Sequence, residues 1–207
     1  MVIMMNEQKL AHPLETKLRG LHVILGSQSP RRVELLKQLG LTFEVRPSHA
    51  PEDHIEVQEP LEVPLVLATR KAEFLLPKLR SNDLLITADT VVVLEGKILE
   101  KPHSLDEATT YLNRLSGKWH QVVTGYCLTM LDRQFKASVT SDIRFDRLTD
   151  EEISYYVNRY EVLDKAGAYG IQDWIGSIGV KEIRGSYHNV MGLPTAHLYQ
   201  HLKEFLP

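Results

Sequence analysis

Two adjacent arginines lie where a helix is predicted to begin, in the stretch HVILGSQSPRRVELLKQLG. Ser29 and Pro30 are typical of an N-cap and of the first helical position, so Arg31 and Arg32 fall in the first turn. Free N–H groups and the helix dipole already make that end of a helix positive. The pattern therefore predicts an anion, most simply phosphate, that the arginines and the N–H groups hold together. Two solvated arginines paired with nearby acids are the alternative.

Asp89 is the most informative carboxylate, because it lies between apolar runs in the stretch LLITADTVVVL. An ionised side chain in such surroundings is costly unless it is paired, hydrogen-bonded or bound to a metal. Asp89 is therefore a candidate catalytic or metal-binding group, or else a strand-end aspartate bonded to backbone N–H groups. Thr90 should point to the opposite face if the strand continues, whereas a break in the strand would let both side chains line one pocket.

Two lysines and an acidic loop could complete such a site. Lys71 lies on an apolar helix face, where a lysine either reaches solvent or meets an anion. Lys101 precedes Pro102 at a predicted strand end and, considered alone, is most simply a solvated lysine. Glu52 and Asp53 belong to the acidic loop and form either a solvated patch or carboxylate ligands for a divalent cation.

The segment DKAGAYGIQ could bring backbone close to a ligand, because small residues surround Gly167 and Gly170. Gln172 ends this segment and offers both a donor and an acceptor for reading the edge of a base. Asp164 and Lys165 could form a local ion pair. A turn-rich loop without a ligand is the alternative interpretation.

Together these residue types suit a polyphosphate carried with Mg²⁺. Arginine and lysine bind phosphate oxygens, while a metal held by carboxylates neutralises charge as a P–O bond breaks. The cations are Arg31, Arg32, Lys71 and Lys101, and the carboxylates are Glu52 and Asp89. These residues are far apart in the sequence. The packing of the strands and helices that carry them must therefore bring their side chains together.

The hydrophobic pattern predicts alternating strands and helices, with hairpins between some of the strands. A strand at 23–25 precedes the helix with the arginines, a second strand lies in LTFEVRP, and a helix lies in VPLVLATRKAEFLLPK. Two strand-like runs flank Glu95-Gly96, and a longer hairpin turns near Asp132-Arg133. Because hairpins are frequent, we expect a mixed sheet and not a purely parallel one.

Further helices are predicted in the second half of the chain. Ser104 with Glu107, and Thr149 with Glu152, have the spacing of capping boxes. A glycine-rich loop over DKAGAYGIQDWIGSIGV leads to a strand at 180–183, and a C-terminal helix starts near Pro194.

Composition excludes several classes of protein. The 207 residues are 43% hydrophobic and 25% charged, which is typical of a globular chain with one sizeable core. A formal charge of -3 argues against a partner that is a nucleic acid polymer or an anionic membrane. A single cysteine, with no apolar run suited to a signal peptide or a membrane span, predicts a cytoplasmic protein. Neither the G-x-G-x-x-G pattern nor the P-loop pattern occurs.

Five motifs, in order and from about Leu21 to the C-terminus, resemble the Maf family of nucleotide pyrophosphatases. They are SQSPRRVELLKQLG, ADTVVVLEGKILEKP, LNRLSGKWHQVVTG, DKAGAYGIQ and IRGSYHNVMGLP. The resemblance implies an α/β fold with a mixed twisted sheet and flanking helices, in which two lobes surround a central cleft as in inosine-triphosphate pyrophosphatases. It further implies one domain over residues 21–207 after an N-terminal extension over residues 1–20, and a homodimer.

The resemblance also implies hydrolysis of a nucleoside triphosphate to the monophosphate and pyrophosphate, with Mg²⁺ or Mn²⁺. Asp89 matches the catalytic proton acceptor of the family, and a role as metal ligand stays open beside it. Arg31, Thr90 and Gln172 match the positions that mark the subgroup preferring dTTP and UTP. The positions that correspond to family residues near phosphate or metal are Ser29, Arg32, Glu52, Lys71 and Lys101.

Two other functions stay open at this point. A sister subgroup prefers 7-methyl-GTP, but it has an aromatic residue in place of Arg31 and SDQ in place of ADT. Family members are also described as septum-formation inhibitors, so a nucleotide-binding regulator of cell division is the rival. The chain departs from the family in its acidic loop, PEDHIE, and after GIQ, where the family often has glycine and this chain has Asp173.

Overall fold

The fold is described by a computed structural model over residues 11–53, 57 and 59–206. Within these residues a seven-stranded sheet runs in the order β2-β1-β3-β5-β6-β7, with β4 paired to β3. The strands are β1 His22–Leu25, β2 Glu44–Val45, β3 Asp83–Leu94, β4 Lys97–Leu99, β5 Trp119–Thr129, β6 Gln134–Phe145 and β7 Val180–Arg184. Strand β1 pairs in parallel with β2 and β3, and the other pairs are antiparallel. The predicted mixed sheet is confirmed.

Helices flank this sheet. They are α1 Glu15–Leu18, α2 Pro30–Gln38, α3 Val63–Leu75, α4 Leu105–Leu115, α5 Asp150–Arg159, α6 Trp174–Gly179, α7 Tyr187–Met191 and α8 Thr195–Phe205. Short 3-10 turns lie at Pro60–Glu62, Leu76–Lys78 and Ala166–Ala168. Across the described segments, no helix combines the length and the apolar character that crossing a bilayer requires.

Several predicted elements need correction. The strand in LTFEVRP is only two residues long, and the predicted glycine-rich loop contains α6. Neither α1 nor α7 was expected, because each spans a single turn and shows too little periodicity. In the predicted N-terminal extension, residues 1–10 lie outside the described part, while Leu14 is buried against the core beneath α2 and α8.

The capping predictions hold to different degrees. Thr149 and Glu152 form a full capping box at α5. Ser104 accepts a hydrogen bond from the Glu107 N–H, but the Glu107 carboxylate bonds the N–H of His103 and not that of Ser104. Ser29 occupies the N-cap position of α2 without a side-chain capping bond.

Of the four hydrophobic clusters among the described residues, the two largest mark two lobes. One core lies beneath α2 and α8 and includes Leu25, Leu36 and Leu198. The other lies beneath α4 and α5 and includes Leu112 and Tyr156. The long strands β3, β5 and β6 run through both, so the lobes share one continuous sheet.

The sheet is open in the middle of β3. Strand β1 pairs with β3 as far as Ile86, and β4 pairs with it again from Val92. Between these points β3 pairs with β5 on one edge, and among the described residues no strand covers its other edge. A crevice beyond the carboxyl end of a parallel strand is where α/β sheets commonly bind ligands.

Helix α3 lies very close to β5 at Gly125, the residue paired with Asp89 across the sheet. A Cβ atom at Gly125 would lie 2.5 Å from the Leu65 α-carbon and 2.5 Å from the Pro64 carbonyl carbon. Both are backbone atoms, so the helix itself would have to move. The missing side chain therefore sets the distance between α3 and the strands that it covers.

We expect Gly125→Ala to lower the free energy of unfolding by about 2 to 3 kcal/mol, because the added methyl group forces α3 away from the sheet. Urea denaturation of the purified variant measures this loss. Ser138→Ala is the matched control: it is exposed on β6 opposite Gly125 and should change stability by about 0.5 kcal/mol or less. Equal stabilities for the two variants would contradict the close approach.

Candidate active site

A cavity of about 450 Å³ lies at the opening in the sheet; we call it the cleft. All nine residues singled out from the sequence line it, namely Ser29, Arg31, Arg32, Glu52, Lys71, Asp89, Thr90, Lys101 and Gln172. The acidic-loop residue Asp53 does not. Asp164 and Lys165 add to the charged lining, which among the described residues has five cationic side chains and three carboxylates. The cleft thus has an excess of positive charge in a chain whose net charge is -3, and it favours an anion.

Arg32 is held in place by uncharged oxygens. Its Nε atom donates to the Gly192 carbonyl at 2.9 Å, and its two terminal nitrogens donate to the hydroxyls of Ser27 at 3.2 Å and Thr90 at 3.1 Å. Burial lowers the pKa of Arg32, while the charges of Asp89 and Glu52 act in the opposite direction. Arginine stays protonated in proteins, so this guanidinium is a fixed charge that its hydrogen-bond partners do not neutralise.

Arg31 is paired differently, with the carboxylate of Asp164 at 3.0 Å. Lys165 bonds the other oxygen of that carboxylate at 2.8 Å and also donates to the Glu161 carbonyl. Burial acts to raise the pKa of Asp164, but its bonds to Lys165 and Arg31 outweigh burial and leave the pKa below its usual value. The local ion pair expected in DKAGAYGIQ exists, and it extends across the cleft to α2.

Lys71 lies between two carboxylates. Its ammonium is 2.6 Å from Asp89 Oδ1 and 2.7 Å from Glu52 Oε1. Both Lys71 and Asp89 are buried, so each needs the charge of the other. Partial burial acts to raise the pKa of Glu52, but the hydrogen bond and charge of Lys71 lower it more. Of the two outcomes considered for a lysine on this helix face, meeting an anion is the one observed.

The neighbouring residue Arg70 anchors the acidic loop from the same helix. Its guanidinium donates to the carbonyl oxygens of Pro51 at 3.1 Å and Asp53 at 2.5 Å, on either side of Glu52. Arg70 therefore binds the backbone of this loop segment, and the next residue of α3, Lys71, binds the Glu52 side chain. Lys101 follows β4 at the rim, where its charge contributes to lowering the pKa of Glu52.

Asp89 and Thr90 lie on one unbroken strand, yet both line the cleft. The sequence alternatives were opposite faces for a continuous strand or one pocket for a broken one. The strand continues, and both side chains reach the cleft because the open edge of β3 gives access to both faces. Thr90 Oγ1 lies 2.9 Å from Thr124 Oγ1 and accepts the bond from Arg32, so it helps to fix that arginine.

The segment that ends in Gln172 forms the opposite wall. Tyr169 lines the cleft, and its hydroxyl lies 2.7 Å from His120 Nε2 in the core beneath α4 and α5. Burial lowers the pKa of His120 to about 3, so this histidine is a neutral partner of Tyr169. Gln172 itself is exposed to the cleft.

Sequence reasoning missed the contribution of α7 and the turn after it. The motif IRGSYHNVMGLP carried the family resemblance without an assigned role, yet Gly192 supplies the carbonyl that Arg32 binds. Asn189 is buried and donates to the Val122 carbonyl, which fixes α7 against the sheet. An asparagine within an apolar stretch was the signal that could have indicated this bracing.

A metal would find few protein ligands here. Among the described residues no three His, Cys, Asp or Glu side chains gather closely enough to hold an ion. Glu52 and Asp89 are the carboxylates whose oxygens converge, on the Lys71 ammonium. Such a pair can hold a cation when a ligand supplies further oxygens.

Several known proteins are similar to this chain over most of its length. Proteins named dTTP/UTP pyrophosphatase from Phocaeicola vulgatus and Bacteroides thetaiotaomicron are 48% and 47% identical to the chain over 183 residues, which are 88% of this chain and 95% of each relative. A protein of the same name from Porphyromonas gingivalis is 48% identical over 192 residues, 91% of this chain and 96% of the relative.

A solved nucleoside-triphosphatase, described as a dITP/XTP pyrophosphatase from Mycobacterium abscessus, aligns with 12% identity and a TM-score of 0.41 over 90% of this chain and 100% of that chain. The family model described as Maf-like protein matches residues 22–205. Because that model covers nearly the whole chain and the three relatives share almost half of its residues, the chain belongs to the Maf-like protein family.

Proposed function

We propose that this protein hydrolyses dTTP and UTP to the nucleoside monophosphate and pyrophosphate. The observation that carries the proposal is that four predicted phosphate-binding side chains and two carboxylates line one cleft. The name shared by relatives that are nearly half identical supports the choice of dTTP and UTP as substrates.

The triphosphate would lie at the first turn of α2. The N–H groups of that turn and the Arg32 guanidinium provide positive potential, and the groups that Arg32 bonds in the described part of the chain are a carbonyl and two hydroxyls, which carry no charge. Ser29, Lys71 and Lys101 are the other proposed phosphate ligands. Arg31 would exchange its bond to Asp164 for the substrate, because both are anions competing for one guanidinium.

Hydrolysis at the α-phosphorus needs a water made more nucleophilic by loss of a proton. The water oxygen bonds to phosphorus, the bond from that phosphorus to the oxygen bridging to the β-phosphate breaks, and pyrophosphate leaves with the electron pair. In the base role, the Asp89 carboxylate takes the proton of the water. Lys71, at 2.6 Å, holds that carboxylate in place.

Asp89 and Glu52 are also the proposed ligands of a divalent cation, Mg²⁺ or Mn²⁺. Their oxygens fit such an ion, because Mg²⁺ is commonly held by one or two carboxylates together with substrate phosphates. When bound, the ion would neutralise charge on the phosphate oxygens as the P–O bond breaks. The base and metal-ligand roles of Asp89 are both part of the proposal.

Selection of the base is proposed for the wall opposite α2, where Gln172 faces the cleft. Arg31 and Thr90 are the other specificity positions, and both touch groups on the cleft wall. We further propose that the enzyme acts in the cytoplasm as a homodimer, which sedimentation of the purified protein would test.

Purified protein with Mg²⁺ or Mn²⁺ should release pyrophosphate from dTTP and UTP at least about tenfold faster than from CTP, GTP or 7-methyl-GTP at limiting substrate. The measurement is a coupled pyrophosphate assay over that panel. Release from 7-methyl-GTP alone would mean that the subgroup is wrong. Tight binding without release from any nucleotide would favour a nucleotide-binding regulator.

Asp89→Asn should lower kcat/KM for dTTP by about 10²- to 10⁴-fold, because an amide neither accepts the proton of water nor binds a cation as a carboxylate does. Circular dichroism should show an intact fold, since Glu52 still pairs with Lys71 at 2.7 Å and the amide oxygen still accepts the Lys71 hydrogen bond. Asp132→Asn, in the exposed β5–β6 turn, is the matched control and should retain full activity. A folded Asp89→Asn enzyme with normal turnover would sink the assignment.

Gln172→Ala should lower the ratio of kcat/KM for dTTP to that for GTP by about tenfold, because one polar contact to the base is lost. Gln38→Ala removes an exposed amide at the far end of α2 and serves as the control. An unchanged ratio in the first variant would remove Gln172 from base selection.

A further inference from the structure

We propose that Asp173, held by Tyr156, orients the amide of Gln172 so that its oxygen faces the base, and that this favours uracil and thymine over cytosine. The inference rests on the proposed function, because it names how that site would read a pyrimidine. It makes Asp173 and Tyr156 positioning residues. Asp173 does not itself line the cleft.

The side chain of Asp173 does not form the hydrogen bond that its position at the start of a helix predicts. Asp173 is the N-cap residue of α6, a position where aspartate normally accepts a hydrogen bond from the helix. Here it makes no capping bond. Its carboxylate instead accepts from the Tyr156 hydroxyl at 2.6 Å and from the Gln172 amide nitrogen at 3.2 Å. The Asp173 carboxylate therefore links Tyr156 in the core to Gln172 on the cleft wall.

Tyr156 fixes this carboxylate from below. The tyrosine is a residue of α5, and its side chain is fully buried. Its hydroxyl accepts a hydrogen bond from the Gly170 N–H at 3.1 Å and donates its own proton to Asp173. Both hydrogen-bonding directions of the hydroxyl are thus committed. Lys165 lies 3.8 Å from the same carboxylate oxygen and adds a favourable charge. Asp173 consequently presents its other oxygen in a fixed place.

The backbone beneath these side chains is shaped to hold them. A Cβ atom at Gly170 would lie 2.6 Å from Asp173 Oδ2 and 2.7 Å from Gln172 Nε2. Both polar groups thus lie against the bare α-carbon of Gly170, and a side chain at this position would make these two side-chain ends shift. This close fit accounts for Gly170 better than loop flexibility does.

The contact decides which end of the amide faces the cleft. A carboxylate oxygen only accepts hydrogen bonds, so Gln172 must turn its NH₂ group toward Asp173. The opposite amide orientation would place two oxygen acceptors against each other. Among the described residues, nothing donates to the remaining amide oxygen of Gln172. That oxygen is the acceptor left for a ligand.

An oriented acceptor distinguishes pyrimidines by their N3 atom. Uracil and thymine carry a hydrogen on N3 and can donate to the Gln172 oxygen, whereas N3 of cytosine is itself an acceptor. A binding site discriminates strongly when the wrong substrate leaves one of the polar groups of the site unpaired. A site that only matches the shape of the right substrate discriminates less. The same contact would admit both dTTP and UTP, which share this edge.

Asp173→Asn tests the orientation with almost no change in shape. The Tyr156 hydroxyl still needs an acceptor, so the introduced amide should give its oxygen to Tyr156 and its NH₂ group to Gln172. Gln172 must then turn its own oxygen inward and its NH₂ group toward the base. We expect the ratio of kcat/KM for dTTP to that for dCTP to fall about tenfold or more, through KM, with dCTP improving.

Two further variants separate positioning from stability. Tyr156→Phe keeps the ring but releases the carboxylate, so the ratio should fall without a gain for dCTP. In a Gln172→Ala background, Asp173→Asn should leave the ratio unchanged, because the group that it orients is gone. Ser177→Ala, exposed on α6, is the control, and thermal unfolding of each variant reports any loss of fold.

Equal loss of dTTP and dCTP turnover in Asp173→Asn, at unchanged ratio, would overturn the proposal and leave the pyrophosphatase function standing. If the wild-type protein released no pyrophosphate, the proposed function would fail instead. Calorimetric dissociation constants for dTTP and dCTP, measured on wild type and Asp173→Asn, would then still test the inference. An unchanged preference in binding would overturn it, and a reversed one would support it.

Discussion

The ammonium of Lys71, held between the carboxylates of Glu52 and Asp89, is the interaction on which the rest of the site depends. A buried lysine or aspartate alone would be strongly unfavourable, so each of these charges requires the other to be present. The triad joins helix α3, strand β3 and the acidic loop at one point. Everything that places α3 against the sheet, including the bare backbone at Gly125, therefore also places the Asp89 carboxylate.

Among the described residues, the cleft holds cationic side chains that are bonded to carboxylates and others that are not. Lys71 and Arg31 have carboxylate partners, and their charge becomes available to a ligand only by exchange. Arg32 is held by a carbonyl and two hydroxyls, which orient the guanidinium without cancelling its charge. A helix N-terminus beside a guanidinium whose hydrogen-bond partners in the described residues are uncharged is a strong attraction for phosphate.

The two walls of the cleft are built differently. One wall consists of the α2 terminus and the long strand β3, both of which are backed by the core beneath α2 and α8. The opposite wall is a chain segment of glycines and short turns, held by hydroxyl and carboxylate contacts of Tyr156, Tyr169 and Asp173. The difference fits the roles proposed above, because reading a base would require directional hydrogen bonds, whereas binding phosphate would require mainly charge.

The sequence by itself indicated the mixed α/β class, most strands and helices, and nine of the residues that line the cleft, because periodicity, caps and motifs are local or are shared with a family. Ser29 shows where local rules end: its place at the helix start was predicted, but its hydroxyl does not cap the helix. The one-turn helices α1 and α7 and the short strand β2 are too brief for periodicity to define. Only the tertiary structure decided the partners: the pairing of Lys71 with Asp89, of Arg31 with Asp164, and of Arg32 with Gly192 joins residues distant in sequence. Such pairings depend on how strands and helices pack against one another. The residues next to a side chain in sequence do not specify which distant atom this packing will place beside it.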